Sequence, residues 1–379
     1  MTASSPTGRP ALYRPVNLPD FPWDTIAEAA ARARAHPDGI CDLSVGTPVD
    51  SVPQLGRDAL AAAGDAHGYP LTWGTPVLRA AIRGYLETRW GAPTLDDTNV
   101  LPVVGTKELV AWLPTLLGLG PDDTIIIPAT AYPTYEVGAL MVGARVVLAE
   151  RAGDVAAESP ALVWTNSPSN PTGRIATYEE TVDWVAYARA KGALLAADEC
   201  YGELGWDAEP VSVLDARVNG GSVDGVMGVY SLSKRSNLAG YRAGFVAGDT
   251  EVVSQLLAVR KHLGMIMPGP VQAAMAALLG DQTHVAEQKE RYRHRRDALR
   301  HALESAGFRV DHSEGGLYLW ATRGESGRTT VDFLADLGIL AAPGDFYGEA
   351  GDAHVRVALT ATDERVAAAC ARLQAHAAP

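Results

Sequence analysis

Between residues 99 and 248 the chain repeats one pattern, a short apolar run followed by a longer stretch. The runs are NVLPVVG (99–105), TIIIPA (124–129), RVVLAE (145–150), ALVWTN (161–166), ALLAADE (193–199), VMGVYS (226–231) and AGFVAG (243–248). Most are apolar without alternation, as expected of strands covered on both faces; a half-exposed strand would alternate polar and apolar side chains. Between ALVWTN and ALLAADE, TYEETVDWVAYARAKG predicts a helix. Thr177 as N-cap with Glu180 at N3 forms a capping box, and Gly192 ends the segment. Strand, helix and strand at this spacing make a βαβ unit. The pattern predicts an α/β fold with a mainly parallel central sheet flanked by helices.

Other regions differ in character. Residues 1–20, rich in Pro and Ser, read as an extended arm, and an alanine-rich helix is expected over about 24–36, ended by His36-Pro37-Asp38-Gly39. PVLRAAIRGYLETRW puts Leu78, Ile82, Tyr85 and Leu86 on one helical stripe. The last hundred residues predict two amphipathic helices around a short β region, GGLYLWAT and HVRVALT. At 379 residues the chain exceeds what one core usually carries. The expected division is an N-terminal arm and helix joining the small domain (1–47), a large domain (48–280) and a small α+β domain (281–379).

Hydrophobic content of 47% and charged content of 20% exclude a disordered chain. Net charge is -13, and KERYRHRR (289–296), the one basic block, reads as a solvated helix face. A nucleic-acid partner is disfavoured, because phosphate neutralisation needs clustered cations. Cys41, Cys200 and Cys370 are far apart, with no C-x-x-C pair, so neither zinc nor a disulfide framework is expected. No apolar leader or bilayer-length segment is visible, and the expectation is a cytoplasmic protein without a membrane partner. H-E-x-x-H, G-x-S-x-G and G-x-x-x-x-G-K-[ST] are absent, which leaves zinc, serine and nucleotide hydrolysis without their signatures.

In open α/β sheets ligands gather at the carboxyl ends of strands. Reading only those ends gives Gly105-Thr106-Lys107 at a helix start, Ala131-Tyr132-Pro133, the stretch Asn166 to Gly173 (NSPSNPTG), Asp198-Glu199-Cys200-Tyr201, and Ser231-Leu232-Ser233-Lys234. Each alone has an ordinary explanation as a cap, a turn or a surface group. Together they set an anion-binding helix start, an aromatic, an amide, a carboxylate with a phenol, and a lysine on neighbouring strand ends.

The set SPSNPTG, DECY and SLSKRSNLAGYRAGF, in this order, resembles the class I and II aminotransferases, fold type I pyridoxal 5'-phosphate enzymes. The similarity runs from LSVGTPVD (43–50) to HVRVALT (354–360). Within the family, NLPDFPWD, GTKELVAWLPTLLGLGP and DECYGELGWD are most similar to actinobacterial succinyldiaminopimelate aminotransferases. The resemblance implies that Lys234 forms a Schiff base with the cofactor. It implies that Arg242, Ser231, Ser233 and the backbone of Gly105, Thr106 and Lys107 hold the phosphate. Asp198 would keep the ring nitrogen protonated, Tyr201 and Asn170 would bond the ring oxygen, and Tyr132 would stack on the ring. Arg356 would clamp the substrate α-carboxylate, with Gly46 keeping that side of the pocket open. Tyr69 matches a tyrosine that reaches the neighbouring subunit's phosphate, which implies a homodimer with shared active sites.

The same resemblance implies amino transfer between glutamate and N-succinyl-2-amino-6-oxopimelate, a step toward diaminopimelate and lysine. Lys107, Arg235 and Lys261 are candidates for reading the distal carboxylate, and GMIMPGP (264–270) is a candidate border of the acyl group. Rivals are an aminotransferase for another amino or acyl-amino acid, including specialised metabolism, and a β-eliminating lyase. A transcription regulator with an aminotransferase-like domain would need a helix-turn-helix, and the first forty residues hold one expected helix.

Overall fold

The computed structural model describes residues 18–376, so the arm expected over 1–20 falls outside the described residues but for its last three. All seven apolar runs are strands: β1 (Val100–Val104), β2 (Thr124–Ile127), β3 (Arg145–Leu148), β4 (Leu162–Asn166), β5 (Leu194–Asp198), β6 (Val226–Ser231) and β7 (Ala243–Gly248). They form one sheet in the order β1-β7-β6-β5-β4-β2-β3. Neighbours from β3 through to β6 are parallel, whereas β7 runs antiparallel to both β6 and β1. An antiparallel strand starts where its parallel neighbours end. Arg242, just ahead of β7, is thereby delivered to the same sheet edge as Asp198 and Ser231.

The helices follow the local signals. In α1 (Ala27–Arg34) the α-helical part starts later than expected, after a 3-10 turn over Pro22–Ile26. Helix α2 (Pro76–Trp90) buries Leu78, Ile82, Tyr85 and Leu86. Helix α3 (Thr106–Leu116) starts straight after β1. In α4 (Tyr178–Lys191) Thr177 Oγ1 accepts from the Glu180 N–H at 3.2 Å and Glu180 Oε2 accepts from the Thr177 N–H at 2.9 Å. Gly192, left-handed, closes that helix. Separate apolar cores fill the two faces of the sheet, one around Leu78, Val163 and Leu195, the other around Leu101, Trp164 and Ala196.

A second, antiparallel sheet follows in the order β10 (Ala342–Pro343), β11 (Val355–Ala358), β9 (Tyr318–Thr322), β8 (Arg309–Asp311). Its core includes Ala29, Ala30 and Ala33 of α1, and Cys41–Asp42 pairs with Ile339–Leu340 in parallel. Among the described residues no helix is long and apolar enough to cross a membrane.

The basic block departs from its expected place. KERYRHRR lies in α5 (Thr283–Ser305), but Tyr292, Arg295 and Arg296 are buried. The 3.6-residue period turns these positions inward together, and carboxylates from elsewhere meet the charges. Arg295 donates to both Asp50 oxygens at 2.7 Å and to Asp363 at 2.7 Å, while Arg296 pairs with Asp207 and donates to the Ser313 carbonyl at 3.0 Å. Burial pushes the Asp50 carboxyl up, but the Arg295 and Gln288 hydrogen bonds outweigh it and hold it low.

Asp50→Ala therefore strands part of a buried guanidinium. The expected loss is about 2 kcal/mol, below the roughly 3–5 kcal/mol for a fully buried pair because Asp363 remains. The depressed carboxyl stabilises the fold above its unfolded value near about 4 and loses that contribution as pH falls through its folded value. Melting temperatures of wild type and variant should differ at neutral pH and converge in acid; equal values at neutral pH would refute the bridge.

Candidate active site

Along the edge where the parallel strands end, Asn166 stands opposite Asp198, and Ser231 opposite Gly244. Above this edge lies a cavity of about 630 Å³. Of the residues expected from sequence, Thr106, Lys107, Tyr132, Asn170, Asp198, Tyr201, Ser231, Ser233, Lys234 and Arg242 line it, joined by Gly46 and Arg356. Gly105 stands just behind the wall.

Asp198 is the buried carboxylate of the group. Its Oδ2 accepts from the Tyr135 hydroxyl at 2.8 Å and its Oδ1 from the Cys200 N–H at 3.1 Å. Burial raises its pKa, and only hydrogen bonds from Cys200 and Tyr135 oppose that. A carboxylate in this position lacks a positive partner. Lys234 is the reverse case: burial lowers its ammonium below the ordinary lysine value, which frees the amine as a nucleophile at lower pH. Its Nζ donates to the Gly46 carbonyl.

Cations and donors gather at the other end. Arg242 has φ 55°, and its Nη1 donates to the Ala239 carbonyl at 2.7 Å. Gly105, with φ 79°, caps α3, and a Cβ there would stand 2.2 Å from Arg242 Nη2. Glycine is thus required for its dihedral, and any side chain there would also displace the guanidinium beside it. The N-terminus of α3 and the hydroxyls of Ser231 and Ser233 complete a pocket fit for an anion.

Arg356 is buried, not exposed on its strand. Its Nη1 donates to Asn170 Oδ1 at 2.8 Å and its Nη2 to the Ser44 carbonyl at 2.7 Å, while Nε is buried without a partner. Tyr132 is half-buried, its phenol pushed up to about 12 by burial. Gly46 does more than keep the pocket open, since a Cβ there would stand 2.2 Å from the Tyr318 hydroxyl.

Other expectations land elsewhere. Tyr69 is fully exposed and does not line its own chain's cavity. Arg235 is buried behind the site, 3.8 Å from Glu203 and over the Tyr85 ring, and Lys261 is exposed outside it. Neither reaches the cavity, and no residue of 264–270 lines it, since Met267 turns into the core. Lys107 is the one distal-carboxylate candidate present. Sequence reasoning missed Tyr135, Tyr318, Phe21 and Trp23, and named Cys200 only as part of a strand end. Tyr135 follows the strand-end Tyr132 by one helical turn, a signal that was readable; Tyr318 lies in an apolar β run and carried none.

Comparison with known proteins agrees with this geometry. The family described as Aminotransferase class I and II matches residues 38–373. The chain belongs to that family. The family's enzymes depend on pyridoxal 5'-phosphate. Relatives include the probable aminotransferase Rv1178 of Mycobacterium tuberculosis, 60% identical over 94% of this chain and 85% of that protein. The 4-dedimethylamino-4-oxo-anhydrotetracycline transaminase OxyQ of Streptomyces rimosus is 58% identical over 94% of this chain and 99% of its own. Among solved structures, a probable N-succinyldiaminopimelate aminotransferase from Thermus thermophilus superposes with a TM-score of 0.84 at 27% identity, covering 94% of this chain and 100% of that one. The aminotransferase fold is fold type I.

The site fits this cofactor on its own chemistry. The uncompensated Asp198 calls for a cationic ring nitrogen, and the Gly105–Arg242 cradle calls for a compact anion. Gly105→Ala should weaken cofactor affinity by about tenfold or more, from backbone strain and displacement of Arg242. Equilibrium dialysis checks this; affinity within twofold of wild type would remove Arg242 from the anion pocket.

Proposed function

We propose that this aminotransferase moves an amino group from glutamate to the keto acid N-succinyl-2-amino-6-oxopimelate, in diaminopimelate and lysine biosynthesis. The observation that carries the donor half is the buried Arg356 with its unpartnered Nε and Asn170 beside it, which suits a bidentate α-carboxylate. Pyridoxal phosphate, when bound, supplies an aldehyde and an electron sink. Lys234 is the covalent anchor for it and, once freed, the base and acid that moves the proton at the donor's Cα. Arg242, Ser231, Ser233 and the backbone of Gly105, Thr106 and Lys107 would hold its phosphate. Asp198 would keep the proton on the ring nitrogen, Tyr201 and Asn170 would bond the ring oxygen, and Tyr132 would cover the ring.

The likeness to the probable N-succinyldiaminopimelate aminotransferase of Thermus thermophilus supports the acceptor, and the exposed Lys107 at the cavity suits a distal carboxylate. A second reading draws on OxyQ, whose name describes a polycyclic ketone. The cavity's apolar lining of Phe21, Trp23, Val110 and Tyr132 suits such an acceptor. One core shared by Ile26 to Leu43 and the C-terminal segment, with Tyr201 and Leu204, supports a helix of 1–47 joining the small domain 281–379, and the two cores on the faces of the large sheet support a separate domain 48–280.

Glutamate added to the holoenzyme should bleach its visible absorbance, and the N-succinyl keto acid should restore it. Restoration only by bulky ketones would favour the second reading, and Lys234→Ala should lose both absorbance and turnover. Release of pyruvate and ammonia without an acceptor would mark a lyase instead.

We also propose a homodimer in which Tyr69 of each copy completes the partner's phosphate site. Full exposure of Tyr69, with Leu71 and Val77 also exposed, supports such a face. Tyr69→Phe should weaken cofactor binding about tenfold, as loss of one hydrogen bond to a charged group does. Light scattering that shows a monomer with full cofactor affinity would sink this.

A further inference from the structure

Tyr318 has no role in the chemistry assigned to Lys234 and Asp198, yet Arg356, Tyr201 and Gly46 all converge on it. Arg356 places its guanidinium carbon 3.9 Å from the ring centroid of Tyr318. The Tyr318 hydroxyl lies 3.1 Å from the Tyr201 hydroxyl, and a Cβ on Gly46 would stand 2.2 Å from the same oxygen. Gly46 in turn accepts from Lys234. The absent side chain at 46 thus makes room for one phenolic oxygen beside the amine.

A bond between two hydroxyls can run in either sense, and what each phenol donates to elsewhere decides which. Burial pushes Tyr318 up, but the Arg356 guanidinium and the Lys234 ammonium outweigh it and hold its phenol below the ordinary value. Tyr201 is raised by burial and by Tyr318 itself. The other groups facing Tyr318 are the phenols Tyr132, Tyr347 and Tyr292, neutral and raised by burial. A phenol has one proton to give, so a Tyr201 that donates to the cofactor ring oxygen can only accept from Tyr318, whose O–H then points to Tyr201.

We propose that Tyr318 is a positioning residue that fixes the donor sense of Tyr201, with Gly46 as the space it requires. The proposal rests on the assignment of Tyr201 to the cofactor ring oxygen. A hydroxyl that receives a hydrogen bond donates more strongly in turn, so Tyr318 strengthens what Tyr201 offers. Because the ring under Arg356 is a separate feature, the hydroxyl can be removed without it.

The test is a pH titration of the visible absorbance of cofactor-loaded enzyme with no substrate present, on wild type, Tyr318→Phe, Gly46→Ala and the double variant. Tyr318→Phe should raise the midpoint by about half a pH unit or more, because Tyr201 then donates less to the ring oxygen. Its KM for glutamate should stay within about twofold, since the ring remains under Arg356. Gly46→Ala should raise the midpoint in the single variant, by displacing the phenol, and add nothing in the Tyr318→Phe background. A wild-type midpoint in Tyr318→Phe, or a Gly46→Ala shift that adds in full to it, overturns the proposal. The titration needs no donor or acceptor, so its failure is distinct from that of the glutamate assay.

Discussion

Backbone hydrogen bonding across β4, β5 and β6 sets Asn166 opposite Asp198 and Asp198 opposite Val229, and the site is built outward from that register. Apolar alternation does not choose it, because both faces of these strands are buried. The choice comes from where each strand stops being apolar. ALVWT gives way to Asn166, ALLAA to Asp198 and VMGVY to Ser231, all at one edge. Sliding a strand by one residue would either bury a polar end or expose an apolar one, and would turn every side chain to the opposite face.

Charge at this edge is incomplete by design. Asp198 is a buried carboxylate with two hydrogen bonds and no cation, while Arg356 keeps an unpartnered Nε. Burying such groups costs several kcal/mol each in the absence of partners. A single ligand that carries a dianionic end and a cationic ring answers Arg242 and Asp198 together. Any ligand that does so binds the folded chain alone and stabilises it in proportion to the logarithm of its concentration. Cofactor binding and stability of this edge are therefore one quantity seen twice.

Most of the fold was legible in the sequence because its signals are local. Seven apolar runs became seven strands, and Thr177, Glu180 and Gly192 bounded a helix as their capping chemistry requires. Site residues at strand ends were legible for the same reason, and Asp198, Ser231 and Lys234 stand together in the cavity. What escaped was tertiary. The inward turn of Arg295 depends on Asp50 and Asp363, distant in the chain, so its charge looked solvated. Tyr318 sits in a run, LYLWA, that any core strand would contain, and only the empty place at Gly46 gives its hydroxyl meaning.

Local backbone geometry, strand alternation at Asp198 and the turn of a short helix at Lys234, explains why each reactive residue is followed by a charge that never reaches the cavity. Asp198 and Lys234 face the site, and their successors Glu199 and Arg235 turn away and line a small buried chamber together with Glu203 and Tyr85. Glu199 accepts from the Val213 N–H at 2.7 Å, and burial pushes its carboxyl up to about 7. Arg235 lies over the Tyr85 ring at 4.7 Å, and Glu203 is held by Arg89 at 2.8 Å and by the Tyr85 hydroxyl at 3.0 Å. Buried ions of this kind add little to net stability but are costly to separate. Because each is the chain neighbour of a reactive residue, moving Asp198 or Lys234 would pull a charged group out of this chamber. The chamber behind the sheet thus restrains, from the opposite face, the distance between the carboxylate and the amine in front.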